Sequence, residues 1–137
     1  MKVENAVQPR PEQLQEFLTQ SGEGPVAMVN LLKFRERAAY PDGRETNLSG
    51  REAYLRYATQ MRKLVEGAGG RFVFSGQVKN LLLGEVESLW DTVAVVEYPS
   101  AKALVQIASS PEFQAIETHR VAGLEGQLNV TTTSGAF

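Results

Sequence analysis

Residues 91–120 read DTVAVVEYPSAKALVQIASSPEFQAIETHR, and the order of elements they encode limits the fold more than any other stretch. DTVAVVEYP is a β-branched run with strand character. Pro99 and Ser100 close it and open a short helix with apolar positions Ala103, Leu104, Ile107 and Ala108. Ser110-Pro111 then restarts the helix. In this second helix Phe113, Ile116 and the stem of Arg120 share one stripe, while His119 lies on the adjacent one with Ala115 and Ile116.

Outward from this block the pattern continues on both sides. QLNVTTT, 127–133, is a last strand rich in β-branched residues. Upstream, RFVFSGQVKNLLLGE (71–85) reads as one strand bent at Gly76, with Phe72 and Phe74 on one side and Val73 and Ser75 on the other. Before it, Gly67, Gly69 and Gly70 end a helix by supplying left-handed conformations. That helix starts at Ser49-Gly50-Arg51-Glu52, a capping box. It carries Tyr54, Tyr57, Ala58, Met61, Leu64 and Val65 on one side, and Arg51, Arg56, Gln60 and Lys63 on the other.

The segment 35–48 is polar, contains Pro-Asp-Gly turn chemistry and is long for a connection, so it reads as a lid or a surface insertion. VAMVNLLKF, 26–34, is a strand apolar on both faces, with Asn30 as its anomaly. Pro11 starts a first helix over 11–20 with a stripe of Leu14, Phe17 and Leu18. Apart from that helix the order is strand, helix, strand, strand, helix, strand. This is the ferredoxin-like βαββαβ arrangement: an α+β fold with an antiparallel sheet and helices on one face. The expected organisation is an N-terminal helical extension over 1–24 and one domain over 25–137 with an insertion at 35–48. The sheet's other face is apolar too and needs a cover, for which a second subunit packed sheet face to sheet face is the natural candidate.

Composition excludes several function classes. The chain has 137 residues, 42% of them hydrophobic and 22% charged, which suits one soluble globular domain. A net charge of −2 without basic runs argues against a nucleic-acid partner. No apolar run spans a bilayer, and the polar start lacks a secretory signal, so no membrane partner is expected. With no cysteine and one histidine, thiolate zinc sites and cysteine nucleophiles are absent, no metal set is recognisable, and a reducing cytoplasmic setting is the simplest reading. No cofactor is expected: the glycines at 67–70 follow a helix and precede a strand, the reverse of a dinucleotide fingerprint, and a haem propionate would find only Arg120.

GGRFVFSG (69–76), DTVAVVEYPS (91–100) and SPEFQAIETHR (110–120), in this order and spacing, resemble the DUF1330 family. The resemblance spans roughly 25–133 and implies a dimeric α/β-barrel, in which two ferredoxin-like sheets pack face to face. Arg120 matches the arginine that closes the family's Ser-Pro-Glu-aromatic-Gln helix; His119 stands where the family has an ordinary residue. The family has no agreed activity, and its wider superfamily includes cofactor-free oxygenases, isomerases and simple binders, so the fold does not choose among them.

The candidate site residues each have two readings. Asn30 holds either a ligand or a neighbouring backbone group. His119 is either a general base, its protonated form favoured by a helix C-terminus, or a surface residue capping its helix. Arg120 suits an anionic ligand or a salt bridge to Glu117 or Asp91. Tyr54, Tyr57, Phe72 and Trp90 line either an apolar cleft or simply the core. Together they suggest a homodimer that binds a small molecule between sheet and helices in each subunit. A cofactor-independent isomerase or monooxygenase using His119 and Arg120 is the second reading, and a non-catalytic interaction module using 35–48 is the third.

Overall fold

Every strand and helix expected from the sequence is present in the computed structural model, which describes residues 3–135; the outermost residues of the expected domain limits, 1–2 and 136–137, lie outside that range. The strands are β1 (Val26–Phe34), β2 (Arg71–Gln77), β3 (Thr92–Tyr98) and β4 (Leu124–Thr132). The helices are α1 (Pro11–Gln20), α2 (Gly50–Gly67), α3 (Ala101–Ala108) and α4 (Pro111–Gly123). The strands form one antiparallel sheet in the order β2-β3-β1-β4, the ferredoxin-like topology with β1 at its centre.

Alternation along β1 sets the two faces of the sheet. Val26 and Met28 pack with Tyr57, Met61 and Val65 of α2, and Leu32 is buried on the same side, so the even-numbered residues of β1 face the helices. On β3 and β4 the registered partners Val96, Tyr98 and Gln127 share that side. The opposite face carries Val29 and Leu31, with Val93 and Val95 on one flank and Leu128 and Val130 on the other. No helix covers these residues; all are partly exposed, Val130 at 47%.

Local chemistry explains where elements start. Ser49 Oγ accepts from Glu52 N, and Glu52 Oε1 accepts from Ser49 N, closing the capping box at α2. Ser100 and Ser110 cap α3 and α4 in the same way through Ala103 N and Phe113 N. α1 packs Phe17 against the main core, so the N-terminal extension joins the domain; Ala6 also pairs with Gln127 beside β4.

Two expectations for 71–85 need correcting. The strand ends at Gln77, opposite Thr92 where β3 begins, and one more backbone bond, from Val78 N to Asp91 O, closes the pairing. The chain beyond it stands out from the sheet, leaving Leu82 and Leu83 93% and 85% exposed. The irregularity lies at Val73, where the register shifts, rather than at Gly76. Phe72 pairs with Val96 and Phe74 with Val95, so this bulge sends the two phenylalanines to opposite faces of the sheet.

The tightest contact joins three elements. Arg35 N donates to Gly123 O and Gly50 N donates to Arg35 O, tying the end of β1 to the start of α2 and the end of α4. A Cβ on Gly50 would fall on the carbonyl oxygens of Arg35 and Gly123, the latter at 2.7 Å; one on Gly123 would meet Tyr54 N at 2.8 Å. Alanine normally stabilises a helix relative to glycine by about 1 kcal/mol. Here Gly50→Ala and Gly123→Ala are each expected to destabilise by about 1–3 kcal/mol or more through overpacking. Gly67→Ala, in open space, is expected to be neutral or stabilising. Urea denaturation of the three variants checks the sign.

Candidate functional site

α2 and β3 bring three tyrosines onto the helix side of the sheet. The Tyr54 and Tyr57 rings meet at a tilt with centroids 5.3 Å apart, Phe34 lies 5.4 Å from Tyr54, and Phe113 meets Tyr57 edge-on at 6.1 Å. Tyr98 belongs to the same core cluster as Tyr57, with Met28 and Phe113. Among the described residues every enclosed side-chain oxygen or nitrogen has a hydrogen-bond partner. The hydroxyls of Tyr54, Tyr57 and Tyr98 have no partner among the described residues, so each touches solvent, although Tyr57 and Tyr98 are only 8% and 5% exposed. Burial pushes the Tyr54 phenol up to about 12, opposed by the positive charge of Arg120, and raises Tyr57 and Tyr98 well above the usual range. All three therefore stay protonated near neutral pH.

A polar chain runs beside them. Arg120 Nη2 donates to Gln127 Oε1 at 2.9 Å, and Gln127 Nε2 donates to Asn30 Oδ1 at 2.7 Å. Asn30 Nδ2 then donates to Met28 O and Ala94 O, both at 3.2 Å. The anomaly in β1 thus has its hydrogen-bonding capacity met by backbone and by Gln127, which leaves Arg120 as the member with donors to spare. Of the two acids expected as partners, Glu117 accepts from Gln8 and Asp91 accepts from Phe34 N, and neither pairs with Arg120.

His119 goes elsewhere. Consecutive positions on a helix point about 100° apart, and its Nδ1 shares a 2.7 Å hydrogen bond with the Tyr40 hydroxyl. Tyr40 and Ala38 are buried against Ala53 and Ala122, so 35–48 is an anchored strap rather than a loose loop; Ala39 N donates to Ala122 O as well. Arg44 lies over the Tyr40 ring at 4.5 Å. The expectation that the helix end favours imidazolium is overturned: desolvation first, then the charges of Arg44 and Arg56, hold His119 below its usual pKa.

Phe72 and Trp90 also lie apart from the tyrosines. Phe72 packs at the margin of the core with the Arg62 guanidinium 5.6 Å above its ring. Trp90 Nε1 donates to Asn5 Oδ1 at 2.8 Å, and Asn5 occupies the space over Gly126, on the face opposite the helices. Lys33, on that face too, donates to Ser88 Oγ and Leu89 O of the same loop. Of the expected residues, Asn30, Tyr54, Tyr57 and Arg120 come together on the helix side. Tyr98 joins the tyrosines from the Val26 end of the sheet, where alternation with Val96 would have placed it on this face, and Gln127 joins Asn30 at the Leu32 end through a strand register that no sequence pattern marks. Two surface hollows, about 340 Å³ by Glu36, Asn47 and Glu52 and about 480 Å³ by Lys63, Gln106 and Ser110, involve none of these side chains.

The lowered pKa of His119 makes stability depend on pH with a defined sign. As pH falls, the unfolded chain takes up this proton near 6.5, before the folded one does. The contribution is therefore complete above that value and is lost on acidification until the folded imidazole also protonates. Between about pH 7.5 and 5 the Tm of the wild type is expected to fall further than that of His119→Gln. An NMR titration placing the folded imidazole above 6.5 is the contrary result.

Residues 44–133 match the family described as a domain of unknown function, DUF1330. Two crystal structures of RPA0582, a protein of unknown function from Rhodopseudomonas palustris, resemble the whole chain. One has 36% identity, 96% coverage of both chains and a TM-score of 0.87. The other has 32% identity, 97% and 99% coverage and a TM-score of 0.86. SnoaB, a cofactor-independent oxygenase from Streptomyces nogalater, shares the fold at 14% identity, with 83% of this chain and 96% of that one covered and a TM-score of 0.52. No curated protein matches this chain. With two thirds of its length matched by the family and its remaining elements shared with RPA0582, the chain belongs to the DUF1330 family.

Proposed function

We propose that this chain is a cytoplasmic, small-molecule-binding protein that pairs with a second copy through its open sheet face and takes a partly apolar ligand between sheet and helices in each subunit. The observation that carries the binding reading is the set of three tyrosine hydroxyls without a partner among the described residues. The Tyr57 and Tyr98 hydroxyls reach solvent at the margin of an otherwise buried cluster, and a polar group of a guest would take the place of that water. The aromatic walls of Phe34, Tyr54 and Phe113 suit its apolar part.

Pairing is supported by the bare face itself. Val29, Leu31, Val93, Val95, Leu128 and Val130 form a contiguous apolar surface, extended by Phe74 at 57% exposure. Monomeric proteins rarely leave such a patch in water. The cytoplasmic assignment rests on the cysteine-free composition, and no helix among the described residues is long and apolar enough to cross a membrane.

The geometry favours binding over the other two readings. An enzyme using His119 and Arg120 on one substrate would need both at one point, and they diverge to Tyr40 and Gln127. SnoaB's oxygenase activity belongs to its own site; the shared fold does not transfer it. An interaction module built on a mobile 35–48 segment fits poorly with its buried Ala38 and Tyr40.

Sedimentation equilibrium is expected to give twice the chain mass of 15.0 kDa, and Val29→Glu, which sets a charge in the middle of the face, is expected to give monomers. A wild-type monomer at micromolar concentration is the contrary result. Phenol, a neutral aromatic probe, is expected to shift the NMR ring signals of Tyr54, Tyr57 and Tyr98 selectively. Shifts confined to other residues, or none at millimolar phenol, would remove the binding reading.

A further inference from the structure

The connection between β2 and β3, residues 78–91, is fastened at its base and bare at its tip. Val78 N donates to Asp91 O, Asp91 N donates to Leu32 O, and the Asp91 carboxylate accepts from Phe34 N. On the returning limb Lys33 Nζ donates to Ser88 Oγ and Leu89 O, and Trp90 Nε1 donates to Asn5 Oδ1. Lys33 stands on the open face of the sheet, and Asn5 lies over its registered partner Gly126. Residues 88–90 are therefore held at the rim of the bare apolar surface, on the side away from the helices. Between these ties the chain carries Leu81, Leu82 and Leu83, exposed by 44%, 93% and 85%, and Gly84, at φ +86°, turns it back. Neighbouring leucines left almost whole in water on a fastened arm differ from the single apolar residues scattered over ordinary surfaces.

We propose, resting on the pairing reading above, that the 78–91 arm of each copy reaches past the rim onto the second copy and buries Leu82 and Leu83 there, so that arm and sheet face form one interface. The face alone is small. Four strands about 4.8 Å apart, with seven registered positions along β1 and β3 at about 3.3 Å each, give a footprint of roughly 450 Å². With side-chain relief this reaches the low end of specific interfaces, about 600 Å² on each partner, against about 800 Å² for a standard one. The arm adds apolar area adjoining the face, and because its base is already tied down, less ordering opposes its docking than would oppose a free loop. Glu85, Glu87 and Asp91 outnumber Lys79 along the arm, which disfavours an anionic lipid surface as the cover for its tip.

Sedimentation equilibrium of the full chain from nanomolar to micromolar concentration tests the arm. Leu82→Ser combined with Leu83→Ser is expected to weaken pairing about a hundredfold or more. The circular dichroism spectrum is expected to stay unchanged, because both side chains are bare in the single chain. Leu55→Ser, at an exposed leucine of α2, is expected to leave the dissociation constant within about twofold. A double variant that pairs as tightly as the wild type, while Val29→Glu gives monomers, overturns the arm and leaves the sheet-face pairing standing. Equal weakening by Leu55→Ser overturns it too. Wild-type monomers at micromolar concentration overturn arm and face together. Flotation of the wild type with phosphatidylcholine–phosphatidylserine vesicles, lost in the double variant, makes the tip a membrane anchor and overturns its docking on a second copy.

Discussion

Gly50 and Gly123 touch backbone to backbone, with the Arg35 peptide hydrogen-bonded to both, and the arrangement of the helix layer follows from that contact. Side-chain packing normally keeps helix axes 8–10 Å apart; two facing glycines let the start of α2 and the end of α4 approach closer. The approach sets Tyr54 directly against Gly123 and fixes how far Tyr57 and Arg120 stand above the sheet. It also lets α4 run into β4 at Leu124 without a loop, so Gln127 stands in the sheet four residues after the helix ends and within reach of both Arg120 and Asn30. A bulkier residue at either glycine would move a helix, a strand and the polar chain at once.

Electrostatics divides α4 between two jobs. Arg120 faces the sheet and sets positive charge near the Tyr54 and Tyr57 phenols, while His119, one residue earlier, faces the strap, where burial and the charges of Arg44 and Arg56 disfavour its protonated form. The strap therefore hangs on an uncharged imidazole–phenol bond and on packing of Ala38 and Tyr40, with the Asp42–Arg44 pair at its exposed turn. Neither region borrows a group from the other, and each can be altered separately.

The fold was readable because its signals are local: a capping serine, a proline after a strand, a glycine cluster after a helix, alternation in VAMVNLLKF. The bulge at Val73 was not, because no residue type marks it and it shows only in the pairing with β3, and with it went the expectation that Phe72 and Phe74 share a side. The site was half readable. Asn30 and Arg120 stood out as a polar group in an apolar strand and a cation on an apolar stripe, yet their link through Gln127 depends on strand register, which alternation alone does not give. Trp90 looked like a cleft residue by size; its partner, Asn5, is 85 positions away and on the other face. His119 drew attention by being the sole imidazole, although what defines it is a tyrosine in a segment that reads only as loop.

The two outer strands of the sheet are closed off differently. β2 carries the bulge at Val73, which breaks the even row of amide and carbonyl groups a further strand would need, and β4 is already met by the bridge from Ala6 to Gln127. Lateral addition of strands from other molecules is thereby discouraged. In the pairing proposed above the surface used is one broad face that a single second copy covers, so that assembly would close at two in place of growing into filaments.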